Sequence, residues 1–168
     1  MDPLILTAEL DEASFDTYDA LRRAHFPDRG YRLPAHVTLF HKLPGEAFAE
    51  IAAELSARTA GAAPIPMRYT ELFGMGRGVA VRIEAPGLKA LHRSLRDAWM
   101  DWLAQQDMGV HLHVTIQNKV GKEAARILLE TLRPSFESHA GLCTGLRLWH
   151  YRGGPWEMAG RFAFGGMA

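Results

Sequence analysis

A four-residue pattern that contains the groups needed for acid–base chemistry occurs twice in this chain. Residues His36–Leu39 read His-Val-Thr-Leu, and 77 residues later His113–Ile116 read His-Val-Thr-Ile. The β-branched residues at their centres favour strands, in which side chains at i and i+2 project from the same face. Each copy would therefore present an imidazole beside a hydroxyl and direct its valine into the core. Two facing pairs could accept a proton, donate a proton and hold an oxyanion, which is the chemistry of phosphoester cleavage.

The repetition carries this interpretation, because a single His-x-Thr could arise by chance in a chain with eight histidines. Both copies lie in the same order of predicted elements, namely helix, motif strand, helix and hairpin. The glycine-containing hairpin turns at 74–78 and 153–154 are also about 77 residues apart. A duplication of one structural unit would produce this register.

The elements that must position the motifs are predicted from the spacing of apolar residues. The predicted strands are Leu4–Leu10, Ala35–Leu43, Ile65–Phe73, Val79–Ala85, Val110–Val120, Leu142–Arg152 and Pro155–Phe164. The predicted helices are Glu46–Thr59, Leu88–Leu103 and Lys122–Leu132, with a further one that begins after Asp11 and carries Phe15, Tyr18, Leu21 and Ala24 on its apolar face. Residues Asp28–Pro34 form a predicted loop.

These elements predict an α+β fold made of two duplicated lobes related by a pseudo-twofold axis. Antiparallel sheets would line a central cleft and helices would cover the outside, so that both motif strands border the cleft. We expect a single domain over residues 1–168, with approximate lobes at 1–85 and 86–168 and with exchange of strands between them as one arrangement.

Composition and charge exclude several classes of protein. The 19 basic and 19 acidic residues balance, whereas proteins that bind long nucleic acids usually carry a basic excess, so a nucleic-acid substrate would be short, a terminus or a mononucleotide. Cys143 is the only cysteine, which excludes an intramolecular disulfide and a cysteine-based metal cluster. No stretch approaches the roughly 20 apolar residues of a membrane span, and the N-terminus lacks the features of a signal peptide. We therefore expect a cytoplasmic monomer without membrane contact.

In its two His-x-Thr motifs and their separation, the chain resembles the two-histidine (2H) phosphoesterase superfamily, which includes 2′–5′ RNA ligase-like proteins and RNA 2′,3′-cyclic phosphodiesterases. The resemblance implies a bilobal fold and catalysis by His36, Thr38, His113 and Thr115, without a metal ion or another cofactor. It implies that the substrate is a small cyclic nucleotide or an RNA terminus with a 2′,3′-cyclic phosphate, and that 2′–5′ ligation or cleavage is a related reaction. Many RNA-acting members carry an arginine shortly after the second motif, where this chain has Gln117–Lys119.

Hydrolysis of a cyclic phosphodiester needs a base for the attacking water and an acid for the departing ribose oxygen. Histidine serves both roles, since its reference pKa of about 6.5 allows one copy to be neutral and the other protonated near neutral pH. Our hypothesis assigns the base to His113 and the acid to His36. The hydroxyl groups of Thr38 and Thr115 would donate hydrogen bonds to non-bridging phosphate oxygens.

Side chains further along the motif strands are candidates for substrate binding. Continued alternation puts Lys42 on the face of the first imidazole, and Gln117 and Lys119 on the face of the second. The lysines could offset phosphate charge, with solvated strand ends as an equal alternative. Gln117 could bind a base or a phosphate, whereas Phe40 suits core packing better.

The aromatic residues of the hairpin strands could stack on a nucleobase, with packing within the sheet as the alternative. Tyr69, Phe73 and Trp149 belong to this group. Tyr151 and Arg152, next to a glycine turn, are the best placed residues of the hairpins for substrate binding.

Metal binding is a competing interpretation of the same histidines. His111 and His113 form a His-x-His pair on one strand, and His36 and His41 lie in the other. A catalytic zinc ion would need three convergent protein ligands. Strand alternation turns His41 away from His36, so we predict no metal site.

Three other interpretations of the motifs stay open. The chain could be a phosphodiesterase for another small nucleotide, such as an ADP-ribose cyclic phosphate. It could also be a non-catalytic module that binds a phosphorylated ligand, although such a module would not need two proton carriers. Finally, each histidine could form a structural hydrogen bond with its threonine within the sheet.

Overall fold

The computed structural model describes residues 1–28, 30 and 33–166. This part of the chain is an α+β fold of seven strands and four α-helices. The strands are β1 (Leu4–Leu10), β2 (Val37–Leu43), β3 (Ile65–Gly74), β4 (Val79–Glu84), β5 (His113–Gln117), β6 (His139–Tyr151) and β7 (Trp156–Ala163). The helices are α1 (Glu12–His25), α2 (Phe48–Thr59), α3 (Pro86–Ala98) and α4 (Lys122–Leu132). The predicted order of elements is confirmed, and Arg29, Tyr31 and Arg32 of the loop predicted at 28–34 lie outside the described residues.

The bounds of β5 and α3 differ most from those that the apolar pattern predicts. β5 covers His113–Gln117 instead of residues 110–120, and Lys119 shortly after it adopts a φ of 62°. This left-handed backbone is incompatible with an extended strand. α3 ends at Ala98 instead of Leu103, and the apolar residues beyond it continue as a 3-10 turn at Met100–Trp102.

All strand pairs are antiparallel and form one continuous sheet, instead of the separate sheets predicted. Along the path β2-β1-β6-β3-β4-β5, the long strand β6 joins two groups of strands, and β7 also pairs with β6. Residues 143–150 of β6 pair with β1, and residues 145–151 pair with β7 on its other edge. Residues 139–143 pair with β3. We call β2, β1, β7 and the C-terminal part of β6 the first wing, and β5, β4, β3 and the N-terminal part of β6 the second wing.

The apolar core lies on one face of this sheet. In β1 the alternate residues Leu4, Leu6, Ala8 and Leu10 belong to the core. The intervening residues Ile5, Thr7 and Glu9 project from the opposite face. None of the helices in the described part of the chain is long and apolar enough to cross a lipid bilayer.

Helix α1 buries polar side chains where the apolar spacing predicts a hydrophobic face. Asp11 caps it as predicted, since its carboxylate accepts the Ser14 backbone N–H at 2.9 Å. Tyr18 is buried as predicted, but the other buried positions of the helix include Asp19 and Arg22. Ala24 is exposed. The charged side chains are buried because they bind backbone groups around the two motifs.

Candidate active site

Both motifs have the alternation predicted from their sequences. His36 and Thr38 are partly exposed, whereas Val37 between them is completely buried. The second motif repeats this pattern, with His113 and Thr115 partly exposed around a buried valine. We call the sheet face that carries these imidazoles and hydroxyls, opposite the apolar core, the motif face.

Each imidazole is oriented by the backbone carbonyl two residues before it. His36 Nδ1 lies 2.7 Å from the Pro34 carbonyl oxygen, and His113 Nδ1 lies 2.6 Å from the His111 carbonyl oxygen. A carbonyl only accepts hydrogen bonds, so Nδ1 carries the hydrogen in both rings. Nε2 is therefore the atom of each imidazole that can accept a proton, or donate one when the ring is charged.

Helix α1 holds the two motifs together. The buried guanidinium of Arg22 donates to the Leu33 carbonyl oxygen through Nε at 3.1 Å and to the Thr115 carbonyl oxygen through Nη1 at 2.6 Å. One turn earlier, the carboxylate of Asp19 accepts the Ala35 backbone N–H at 3.0 Å. One helix thus fixes the backbone just before His36 and the backbone within the second motif.

Sequence reasoning missed Asp19 and Arg22. The stripe containing Phe15 and Leu21 assigned the buried side of α1 to apolar residues, although both are only partly buried. A charged pair at i and i+3, next to Tyr18 on the helix surface, was the available signal. It is weak, because most such pairs are solvated.

The environment of His36 favours its neutral form. The pKa of His36 is lowered to about 4, chiefly by burial among protein atoms. The nearby charges of Arg22 and His113 act in the same direction, against the opposing effect of the Pro34 carbonyl. The ring keeps some contact with solvent. The electrostatic effect of His113 also indicates that the two imidazoles lie near each other.

A β-bulge interrupts β2 directly after the first motif. Thr38 pairs with Thr7, but Phe40 pairs with Leu6, so β2 contains one extra residue at this point. A second register shift follows between Phe40 and Leu43, which pairs with Leu4. Leu39 and Phe40 are consequently both buried. The ring of Phe40 stacks on the buried His92 of α3, in agreement with its predicted packing role.

The second motif is followed by the same irregularity. Thr115 pairs with Ala80, but Gln117 pairs with Val79, again with one extra residue. Ile116 and Gln117 are both buried, and Gln117 Oε1 has no hydrogen-bond partner among the described residues. Because Val79 faces the core, Gln117 does so as well.

The two bulges change which side chains reach the motif face. The alternation restarts, so that His41 joins the face of His36, opposite to the prediction. Asn118 takes the equivalent position in the second wing. Lys42 is exposed and lines a groove with the segment around Leu103. Lys119 is exposed in the connection after β5, where its N–H binds the Asn118 side chain.

Aromatic side chains flank both imidazoles. The ring of Trp156 lies 4.8 Å from that of His36, between ring centroids, and 6.0 Å from that of Trp149. Trp149 is held by its Nε1–H, which donates to Thr7 Oγ1 at 2.9 Å. In the second wing, Phe73 meets His113 edge-on at 6.1 Å. Trp156 is absent from the sequence-based candidates, because its distance in the chain from His36 hides the contact.

Tyr151 and Arg152 lie at the β6–β7 turn and are both exposed. Tyr151 pairs with Trp156, which places it at the edge of this aromatic group. The guanidinium of Arg152 forms ion pairs with Asp2, at 2.8 Å, and with Glu157.

A cavity of about 410 Å³ adjoins the first motif on the side of Pro34 and Ala35. Glu9 lies in its wall and accepts hydrogen bonds from Arg161, Arg147 and Thr144, each between 2.7 and 2.8 Å. Arg161 has the largest effect, and together these bonds outweigh burial and lower the pKa of Glu9 to about 2. The cluster ties β1, β6 and β7 together beside the motif.

Metal-ligating side chains are dispersed in the part of the chain that the structure describes. No group of three or more His, Cys, Asp or Glu residues within it could hold a metal ion. His111 contributes its backbone carbonyl to the second motif. The single thiol, Cys143, is buried in the sheet.

Comparison with known proteins identifies the family of the chain. The sequence model of the 2′-5′ RNA ligase superfamily matches residues 10–155. No curated protein sequence matches the chain.

Solved structures share the fold. The protein TT0787 of Thermus thermophilus is 16% identical with a TM-score of 0.66, and the match covers 99% of this chain and 100% of that one. Escherichia coli LigT complexed with 3′-AMP is 17% identical with a TM-score of 0.60, covering 97% and 98%. LigT complexed with phosphate is 20% identical with a TM-score of 0.60, covering 98% and 99%. The chain therefore belongs to the 2′-5′ RNA ligase superfamily, whose members are two-histidine phosphoesterases.

Proposed function

We propose that the chain is a phosphodiesterase that hydrolyses the 2′,3′-cyclic phosphates of nucleotides or RNA termini by two-histidine catalysis, without a metal ion. One observation supports this most directly. His36 and His113 each donate Nδ1–H to a carbonyl and keep Nε2 for proton transfer. Two imidazoles prepared in the same way suit a reaction that needs one proton acceptor and one proton donor.

In the proposed reaction, a water molecule attacks the phosphorus atom and loses a proton to Nε2 of His36. The P–O bond of the ring breaks, and Nε2 of protonated His113 gives its proton to the ribose oxygen. The product is a phosphomonoester beside a free hydroxyl. These roles reverse our hypothesis from the sequence, because the lowered pKa of His36 keeps its imidazole neutral and able to accept a proton.

The hydroxyl groups of Thr38 and Thr115 complete the proposed site. Each projects beside its imidazole and can donate a hydrogen bond to a non-bridging phosphate oxygen. Such bonds strengthen as negative charge accumulates in the transition state. The Arg22 contact to the Thr115 carbonyl fixes one of these threonines relative to the first motif.

Ligands of similar proteins support the substrate class. The LigT structures contain 3′-AMP and phosphate, and a nucleoside monophosphate is the type of product that the proposed reaction gives. Cleavage or ligation of 2′–5′ linkages is a related reaction that the same groups could perform. The zero formal net charge favours a short RNA terminus or a mononucleotide over a long duplex.

The test is hydrolysis of the four 2′,3′-cyclic nucleoside monophosphates in excess EDTA. We expect His36→Ala and His113→Ala to lower kcat by about 10²–10⁴-fold, the usual worth of a general acid or base. His25→Ala, at the end of α1, is the control and should keep full activity. Loss of activity in EDTA, or full activity of either motif variant, would contradict the proposal. Tight binding without turnover would indicate a binding module instead.

A further inference from the structure

The motif face carries a third histidine that the proposed acid–base pair does not use. His41 lies five residues after His36 and shares its face because of the bulge in β2. Its side chain is 54% exposed, whereas the side chain of its partner, Asp107, is completely buried. Burial of a carboxylate is costly unless hydrogen bonds compensate it. Here a completely buried carboxylate fixes the orientation of an imidazole that is itself exposed.

Asp107 holds both the ring and the backbone of His41. Its carboxylate lies 2.9 Å from His41 Nδ1 and accepts the His41 N–H at 2.8 and 3.0 Å and the Lys42 N–H at 3.0 Å. Burial raises the pKa of Asp107, but the hydrogen bonds from His41 and Lys42 outweigh this effect and lower it. The charged carboxylate fixes the hydrogen on Nδ1. Nε2 then points outward and has no hydrogen-bond partner within the described residues.

The wing that carries His41 suits a nucleotide that extends beyond its cyclic phosphate. Trp156 contacts His36 and, with Trp149, forms an apolar wall on the same wing. A ribose or base can lie on such a wall. Along β2, His41 and the exposed Lys42 follow as the next polar groups.

We infer that His41 binds a second phosphate of the substrate, the one on the 5′ oxygen of the nucleoside that carries the cyclic phosphate. Asp107 is the positioning residue that keeps Nε2 of His41 aimed at it. This inference rests on the proposed function and narrows its substrate class. A phosphate oxygen is a strong acceptor for an imidazole N–H, and the bond is charge-assisted when the ring is protonated.

The second phosphate can come from two sources with the same local chemistry. It is a monoester in a free nucleoside 5′-phosphate 2′,3′-cyclic phosphate, and a diester at the 3′ end of an oligonucleotide. A nucleoside 2′,3′-cyclic phosphate with a free 5′ hydroxyl lacks it. These three compounds form a matched series in which one phosphate changes.

The experiment compares kcat and KM for this series in wild type, His41→Ala and Asp107→Asn. We expect wild type to prefer the 5′-phosphorylated compounds through a lower KM, and His41→Ala to lose about tenfold in kcat/KM on these alone. Asp107→Asn should lose the same preference. Lys89→Ala on α3 removes an exposed cation elsewhere and should leave all three substrates unchanged. Preference for the free nucleotide or for the oligonucleotide identifies the source.

Two outcomes would overturn the inference. One is a wild type that does not distinguish the compounds, and the other is a His41→Ala variant that loses equally on all of them, as a structural role predicts. If wild type turns over none, the proposed function fails, and calorimetry with adenosine 3′-phosphate and adenosine 3′,5′-bisphosphate decides the inference separately. Tighter binding of the bisphosphate that depends on His41 would support it, and equal or absent binding would overturn it.

Discussion

The imidazoles of His36 and His113 share one hydrogen-bond geometry but differ in their surroundings. Both donate Nδ1–H to a carbonyl two residues earlier, so the backbone sets the tautomer. Burial is the main cause that lowers the pKa of His36 to about 4. The charge of Arg22 contributes to this lowering, and the ring of Trp156 packs against the same imidazole.

The lowered pKa of His36 predicts the pH dependence of activity. Because our proposal assigns the base to His36, this imidazole must be neutral. We expect kcat/KM to stay constant as the pH falls until about 4, where protonation of His36 would remove the base. The measurement is kcat/KM against pH on a cyclic nucleotide, with circular dichroism to show that the chain stays folded.

The assignment to His36 has an internal check. The residual activity of His113→Ala should keep the decline near pH 4, whereas that of His36→Ala should lack it. A decline centred at the ordinary histidine pKa of about 6.5 would show that the roles proposed for the two histidines are wrong.

Among the elements, α1 contributes most to the geometry of the site, although it carries none of the proposed catalytic groups. Its Arg22 joins carbonyl groups on either side of the site, and Arg is suited to this because its guanidinium offers several donors in a fixed plane. Lysine would have to make both contacts from a single nitrogen, whereas Arg22 uses the separate atoms Nε and Nη1. The helix therefore fixes the position of the first motif relative to the second.

We expect Arg22→Met to lower both stability and kcat. The carbonyl oxygens of Leu33 and Thr115 would lose buried donors, which should reduce the free energy of unfolding by about 1–3 kcal/mol. Urea denaturation measures this change, and kinetics of the folded variant measure the effect on the second motif. Arg126→Met on α4 removes an exposed guanidinium that forms surface ion pairs. It should change stability by less than about 1 kcal/mol, and an equal loss in both variants would contradict the role of Arg22.

The Glu9 cluster connects the three strands β1, β6 and β7, and we therefore expect it to contribute to stability. The carboxyl pKa of Glu9 falls from 4.5 to about 2 on folding, so its contribution is complete above 4.5 and is lost as the pH falls through about 2. Glu9→Gln should cost about 2 kcal/mol at neutral pH, after allowance for the exposed Arg161. The difference from wild type should shrink in acid. Urea denaturation across pH tests this, with the surface variant Glu130→Gln as a control that should show no such trend.

Local patterns predict some elements of this fold well and others poorly. Strand β1 at Leu4–Leu10 and helix α4 at Lys122–Leu132 have the predicted bounds, because their alternation or helical spacing is complete within the segment. The bulges after Thr38 and Thr115 depend on pairing with other strands, so nothing within the segment reveals them. They explain why Gln117 and Lys42 do not follow the predicted faces and why His41 does reach the motif face. Arg22 and Asp107 were missed for the same reason, since their partners lie 93 and 66 residues away.

At the scale of the whole molecule, strand exchange makes the halves of the chain interdependent. β1 and β2 from the first half are completed by β6 and β7 from the second, while β3 and β4 from the first half pair with β5 and β6. Neither half contains a complete wing. Each half by itself would expose unpaired strand edges and apolar surface.

We therefore predict that fragments 1–85 and 86–168 do not fold separately but recover activity when they are expressed together. Circular dichroism of each fragment should show no cooperative unfolding transition, and the mixture should show one. The control is the intact chain cleaved after folding within the Gly74–Gly78 turn, which should stay assembled because both wings are already formed. Cooperative folding of either isolated fragment would contradict the interdependence.

The position of β6 after β1–β5 in the sequence also bears on biosynthesis. Both wings need this strand, and its pairing partner Leu4 lies 146 residues before His150. During translation, β1 and the β3–β4 hairpin emerge long before the strand that joins them. Contacts of such high sequence separation form slowly and leave hydrophobic edges open in the meantime. The nascent chain should accordingly remain a client for ribosome-associated chaperones until β6 has emerged from the ribosome, and the two histidines should come together only after that point.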